Sequence, residues 1–264
     1  MKTTGPIQKF KKVFIAAVIS AGVLTTSLAV AQQNQKVKNI VIVHGAFADG
    51  SGFKSVFDIL TNQGYKVSVV QNPLTSLKDD VDAANRIINR QDGPVILVGH
   101  SWGGTVITEA GNNPKVVGLV YVAAFAPDAG ESTAQWASSL PVAPEFGILN
   151  PDDQGVIYYD KAKFHAGFCA DVSKEVADFM YASQGPIFGN SFTDKVTTAA
   201  FKSKPSYAIV ATQDKSINPD IERNMYKRAG MKVTEVKGSH VVFISQPAKV
   251  AEVINNAASN SLTK

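Results

Sequence analysis

Between Pro94 and Val106 an apolar run, Val95-Ile96-Leu97-Val98, passes directly into Gly99-His100-Ser101-Trp102-Gly103 and then into a helical pattern. A continuous run rich in β-branched residues marks a strand covered on both faces, as in a parallel sheet flanked by helices. A strand that becomes a helix through G-x-S-x-G holds its serine at the tip of a sharp, strained turn, with Oγ projecting from the chain. Strand and helix backbones nearly touch at such a turn, which is why the positions two before and two after Ser101 are glycine. The helix then aims its first N–H groups and positive dipole end at the serine, favouring a developing anion there. Ser101 is the candidate nucleophile, and the rest of the chain must supply a base to activate it.

Residues 1–31 read as a secretory signal peptide rather than as part of the fold. Lys2, Lys9, Lys11 and Lys12 make a basic start without acids, Val13 to Val30 is apolar apart from Ser, Thr and Gly, and Ala29-Val30-Ala31 fits a cleavage site before Gln32. Ser20, Gly22, Thr25, Thr26 and Ser27 dilute the run, which argues against an uncleaved membrane anchor. The expected product is exported, periplasmic or secreted, without stable membrane association. Of 26 Lys+Arg, four leave with this segment, so the mature domain carries 22 basic against 22 acidic residues. A formally neutral domain offers no electrostatic case for nucleic acid or an anionic membrane surface. The single cysteine, Cys169, excludes an intrachain disulfide.

From residue 32 the chain reads as one α/β domain with a mostly parallel, doubly wound sheet. Apolar runs at Asn39–Val43, Tyr65–Val70, Val95–Val98 and Val116–Val122 alternate with helical stripes such as Phe53, Val56, Phe57, Leu60 and Leu77, Val81, Ala84, Ile88. Ser76 with Asp79 has the form of a capping box. That alternation predicts right-handed crossovers. From about 127 to 205 the rhythm breaks into a proline-punctuated, aromatic-rich stretch, with helices expected over Glu131–Leu140, Lys161–Ser183 and Phe192–Phe201. It reads as an inserted helical cap over the strand ends. Strands at Tyr207–Ala211 and Lys232–Val236, a helix over Pro219–Ala229 and a last helix from Pro247 complete the sheet.

Active groups of an open α/β sheet collect at the carboxyl ends of its strands. Ser101, Asp214 and His240 each follow a strand, and His44-Gly45-Ala46 follows the first. An imidazole near neutral pH takes the serine proton, and a carboxylate fixes its tautomer. The backbone N–H groups of Ala46 and Trp102 are the candidate oxyanion donors. Asp128 is a rival acid, also after a strand, while His44, His100 and His165 read as shaping or packing residues. No His, Cys and carboxylate pattern has metal-ligand spacing and no glycine loop suits a nucleotide, so neither metal nor cofactor is expected.

The order Ser, Asp, His on this strand pattern resembles the α/β-hydrolase superfamily from about Asn39 onward. Within it the chain is similar to the branch of plant methylesterases and hydroxynitrile lyases. The carrying residues are His44-Gly45-Ala46-Phe47, Gly99-His100-Ser101-Trp102-Gly103-Gly104, Asp214-Lys215, and Gly238-Ser239-His240 with Ser245-Gln246-Pro247. The resemblance implies an α/β-hydrolase fold and the triad Ser101, His240 and Asp214. The lyases keep a threonine where Gly45 stands and a lysine where Val241 stands, so the resemblance favours hydrolysis of a small, uncharged carboxylic ester. Lactone opening, perhydrolysis and carbon–carbon lysis on the same triad stay open, as does a binding protein that kept the fold.

Overall fold

The computed structural model describes residues 37–262, so the leader expected over 1–31 lies outside the described residues. Six strands form one parallel sheet: β1 (Asn39–Val43), β2 (Lys66–Val70), β3 (Val95–Ser101), β4 (Val116–Ala124), β7 (Ser206–Ala211) and β8 (Lys232–Val236). Their order across the sheet is β2-β1-β3-β4-β7-β8. The chain runs outward from β1 to β2, crosses back to β3, and then builds in the opposite direction. The crevice beyond the carboxyl ends of β1 and β3 is therefore the topological switch point, where ligands of such sheets bind. β1, β3 and β7 are buried along their whole length, as the continuous apolar runs require. β8, at the sheet edge, exposes its first four residues.

Helices α1 (Lys54–Asn62), α2 (Leu77–Asn89), α3 (Trp102–Ala110) and α8 (Pro219–Arg228) lie in the crossovers, and α10 (Pro247–Asn260) closes the fold after the short α9 (Val242–Ser245). α2 starts where Ser76 Oγ accepts from Asp79 N at 3.0 Å. The other half of the expected capping box is absent, because the Asp79 carboxylate accepts instead from Thr75 Oγ1 at 2.8 Å.

Between β4 and β7 the expected helices are shorter and more broken. The first is only α4 (Thr133–Ala137), held by a full capping box of Ser132 and Gln135. The stretch read as one helix is two, α5 (Lys161–Phe168) and α6 (Lys174–Ala182). The break falls among weak helix formers, Gly167 to Ser173; Asp171, in the gap, accepts from Ser239 N at 2.7 Å, and Ser173 caps the second helix. The third is α7 (Gly189–Thr193) with a separate 3-10 turn at Ala200–Lys202. Asp194 turns extended after α7 and accepts from Leu77 N at 3.0 Å. A small antiparallel pair, β5 (Val156–Ile157) with β6 (Ile187–Phe188), also lies in this stretch.

Candidate active site

Ser101 ends β3 and caps α3 with φ 53° and ψ −122°. A non-glycine residue enters this left-handed region only where its surroundings force it. Among the described residues Phe47, Leu74 and Ala123 share a positive φ, and each lies at or just beyond the carboxyl end of a strand. Strain is thus gathered where sheet becomes site. The glycines of the turn are steric necessities. A Cβ on Gly99 would stand 2.4 Å from Gly103 O, and one on Gly103 would stand 2.5 Å from Val43 O.

Three residues from three strand ends meet here. His240 Nε2 lies 2.9 Å from Ser101 Oγ, and His240 Nδ1 lies 2.6 Å from Asp214 Oδ2. His240 and Asp214 are both buried. The second Asp214 oxygen accepts the backbone N–H groups of Ser216 at 2.7 Å and Ile217 at 2.9 Å, which locks the carboxylate's orientation. The His240 ring lies between Phe168, with centroids 5.0 Å apart, and His100, at 4.7 Å. The rival Asp128 is elsewhere: it pairs with Lys202 at 2.7 Å and accepts from Ala129 N.

His44 and His100 support the site as buried rings. Burial, with the nearby His240, pushes the His100 imidazole well below its usual range. Neutral His100 donates from Nε2 to His240 O at 2.9 Å. Its Nδ1 meets no partner among the described residues and would be 3.0 Å from a Cβ on Gly45. Such a Cβ would also be 2.7 Å from Ser101 Cβ, so the position where the lyases carry threonine is closed to any side chain in this backbone arrangement. Val241 is fully buried. His165 binds Val172 O at 3.0 Å, far from the serine in role. Burial pushes the Cys169 thiol up to about 12, so it stays protonated and inert.

A cavity of about 360 Å³ opens above Ser101 and His240. Ala46, Phe47, Phe125, Leu140, Phe146, Ile148, Phe192 and Ile221 are among its apolar lining residues. The polar exceptions include Thr133, Ser138, Ser216 and Asn218, and no Asp, Glu, Lys or Arg side chain lines it. The aromatics divide as their positions dictate. Phe168 and Tyr159, which also line the cavity, make edge-on contacts with Phe47, whereas Phe179 is 68% exposed.

Three acids that the chain's pattern did not single out surround this arrangement. Asp80 is buried under Trp102, with Nε1 donating to Oδ2 at 2.7 Å. Glu222 is buried beside Asp214 with neither carboxyl oxygen meeting a well-aligned partner. Burial first, and the Asp214 charge second, raise its carboxyl well above the usual range, so Glu222 is neutral. Asp171 holds Ser239 and Ser245 on either side of the His240 loop. The first two carried a signal: Asp80 falls on the Leu77, Val81, Ala84 face, and Glu222 on the Ile221, Met225, Tyr226 face. A buried acid on an apolar stripe is either neutral or held by hydrogen-bond donors. Asp171 sits in a loop and carried none.

Residues 40–253 match the alpha/beta hydrolase family. The chain belongs to that family. A pyrethroid hydrolase of Sphingobium wenxiniae is 27% identical over 258 residues, covering 84% of this chain and 88% of its own. A solved pyrethroid hydrolase structure, 22% identical, superposes with a TM-score of 0.75 over 85% of this chain and 98% of that one. A methylesterase from Arabidopsis, 18% identical, gives 0.69 over 84% and 99%. The α/β-hydrolase fold and the resemblance to plant methylesterases expected above both hold. Among the described residues of this α/β-hydrolase no group of three or more His, Cys, Asp or Glu could hold a metal ion, and no helix is long and apolar enough to cross a membrane.

Proposed function

We propose that the chain is a serine hydrolase cleaving small, uncharged carboxylic esters through an acyl-Ser101 intermediate. The observation that carries this reading is the unbroken path from Ser101 Oγ through the His240 ring to Asp214, at the floor of an apolar cavity. In the first half-reaction Ser101 Oγ bonds to the ester carbonyl carbon as its proton passes to His240 Nε2. The carbonyl oxygen becomes an anion held by the N–H groups of Ala46 and Trp102. The C–O bond then breaks, and the alcohol leaves with the proton from His240. Water repeats the sequence on the acyl-enzyme and releases the acid. Asp214 keeps the Nδ1–H tautomer and stabilises the imidazolium. The near absence of charge in the cavity favours uncharged substrates, and the hydrolase and esterase relatives support the reaction class.

The test is mass spectrometry after rapid quench with a p-nitrophenyl ester, alongside Ser101→Ala and an EDTA-treated sample. An acyl adduct on the Ser101 peptide, absent from Ser101→Ala and unchanged by EDTA, is expected. Full turnover by Ser101→Ala, or loss of activity in EDTA, would overturn the mechanism.

A further inference from the structure

The two proposed oxyanion donors sit on different elements: Trp102 opens α3, and Ala46 lies in the loop after β1. We propose that Asp80 is a positioning residue that holds these two donors in register, gripping the Trp102 ring directly and the Gly45–Ala46 peptide through Asn72 and His44. The proposal rests on the hydrolase reading given above.

The connection is continuous. Asp80 Oδ2 accepts from Trp102 Nε1 at 2.7 Å and from Asn72 Nδ2 at 3.2 Å. Asn72 N donates to His44 Nε2 at 3.3 Å, and His44 Nδ1 lies 2.8 Å from Gly45 O. A carbonyl only accepts, so Nδ1 carries the His44 proton and Nε2 is the acceptor. Burial lowers the His44 pKa, in keeping with this neutral ring. The last link matters most. In a planar trans peptide the carbonyl and the next N–H point in opposite directions. Fixing Gly45 C=O therefore fixes the direction of Ala46 N–H. At the other end, the Trp102 ring is caught between Asp80 and the edge-on ring of Phe192, 5.7 Å away between centroids. The backbone N–H of Trp102 belongs to the same residue.

Asp80 is fully buried and pairs with no cation among the described residues. Its Oδ1 accepts from Leu74 N at 2.8 Å, at a residue held with φ 61°. Every partner is a donor, which suits a carboxylate and leaves a protonated acid's O–H without an acceptor. Anchoring α2 to the sheet needs only an apolar residue on this stripe, and an unpaired buried anion costs stability there. What the carboxylate adds is a simultaneous grip on Trp102 and on the Asn72–Leu74 loop, which in turn holds His44 against the Gly45–Ala46 peptide.

Complete loss of one oxyanion donor typically costs about 10²–10³-fold in rate, so loosening both is expected to cost about 10–100-fold. Asp80→Asn should lower kcat by that factor with KM within about threefold. A boronic acid, which bonds to Ser101 Oγ as a tetrahedral anion, should bind more weakly by a matching factor. A merely structural role would leave that match unmade. Trp102→Phe, which keeps the ring's bulk and removes Nε1, frees only the Trp102 arm and should reproduce part of the loss, and adding it to Asp80→Asn should cost less than threefold more. Folded Asp80→Asn with kcat and boronate affinity within threefold of wild type, or full additivity with Trp102→Phe, overturns the proposal. If Asp80→Asn does not fold, Trp102→Phe decides alone: a matched loss supports the role and wild-type behaviour overturns it. Full turnover by Ser101→Ala overturns the hydrolase reading and this role together. Ser101-dependent turnover with an unaffected Asp80→Asn overturns only the positioning role.

Discussion

Replacing Asp214 by asparagine alters one heavy atom and, by the geometry of the site, inverts one proton. Asp214 Oδ1 receives two backbone N–H groups, from Ser216 at 2.7 Å and Ile217 at 2.9 Å, while Oδ2 faces His240 Nδ1 at 2.6 Å. An asparagine keeps its carbonyl oxygen where the two N–H groups need an acceptor. Its NH₂ then falls opposite Nδ1 and donates. The neutral imidazole answers with an unprotonated Nδ1, which puts its proton on Nε2, 2.9 Å from Ser101 Oγ. That nitrogen no longer takes the serine proton. In a serine-protease triad this inversion lowers turnover by about 10⁴-fold, equivalent to about 5 kcal/mol of transition-state stabilisation. The alternative amide flip leaves two buried N–H groups facing NH₂, a loss of a few kcal/mol that disfavours it. Asp128→Asn is the control: it breaks a partly exposed ion pair with Lys202, worth at most about 1 kcal/mol, and should leave turnover within about twofold. The assay is steady-state hydrolysis of p-nitrophenyl acetate by both purified variants, with thermal melts to verify folding. A folded Asp214→Asn within tenfold of wild type would refute the tautomer argument, and a crippled Asp128→Asn would move the acid to the other strand.

The neutral Glu222 predicts a pH signature in stability. Its carboxyl has a reference pKa of 4.5 and is raised well above that in the folded chain, so from about pH 4.5 upward unfolding releases a proton and stability falls, by at most about 1.4 kcal/mol per pH unit. Urea midpoints of wild type and Glu222→Gln, measured from pH 4.5 to 8, should diverge in favour of the variant as pH rises; a constant difference would refute the assignment. We also propose that the protein is exported and begins at Gln32 after cleavage. N-terminal sequencing from the native host should find Gln32, and an intact 1–31 segment in the membrane fraction would refute it.

The patterns legible in the chain were those with a short, fixed period or a turn of fixed chemistry. Val95–Gly103 declared a strand, a turn and a helix because backbone clashes at Gly99 and Gly103 tolerate nothing else, and the alternation of apolar runs with helical stripes declared a parallel sheet. Once strand ends are known to share one edge, Ser101, Asp214 and His240 must lie near one another, though hundreds of ångströms of chain path separate their order from their contact. What the chain could not declare were choices made by distant partners. The run 161–183 keeps an apolar helical pattern across the weak helix formers between Gly167 and Ser173, and where it breaks depends on Asp171 being claimed by Ser239, 68 residues away. Asp80 and Glu222 look like misplaced charges on apolar helix faces until the fold sets one against Trp102 and the other against Asp214. The strand pattern alone left Asp214 and Asp128 as rivals, and the resemblance chose Asp214. Both follow strands, and only the packing of β7 beside β8 brings one of them to the imidazole while the other meets Lys202. Local sequence sets backbone conformation because its causes are steric and short-ranged; the state and partner of a buried charge depend on what lies within a few ångströms in space, which only the tertiary structure decides.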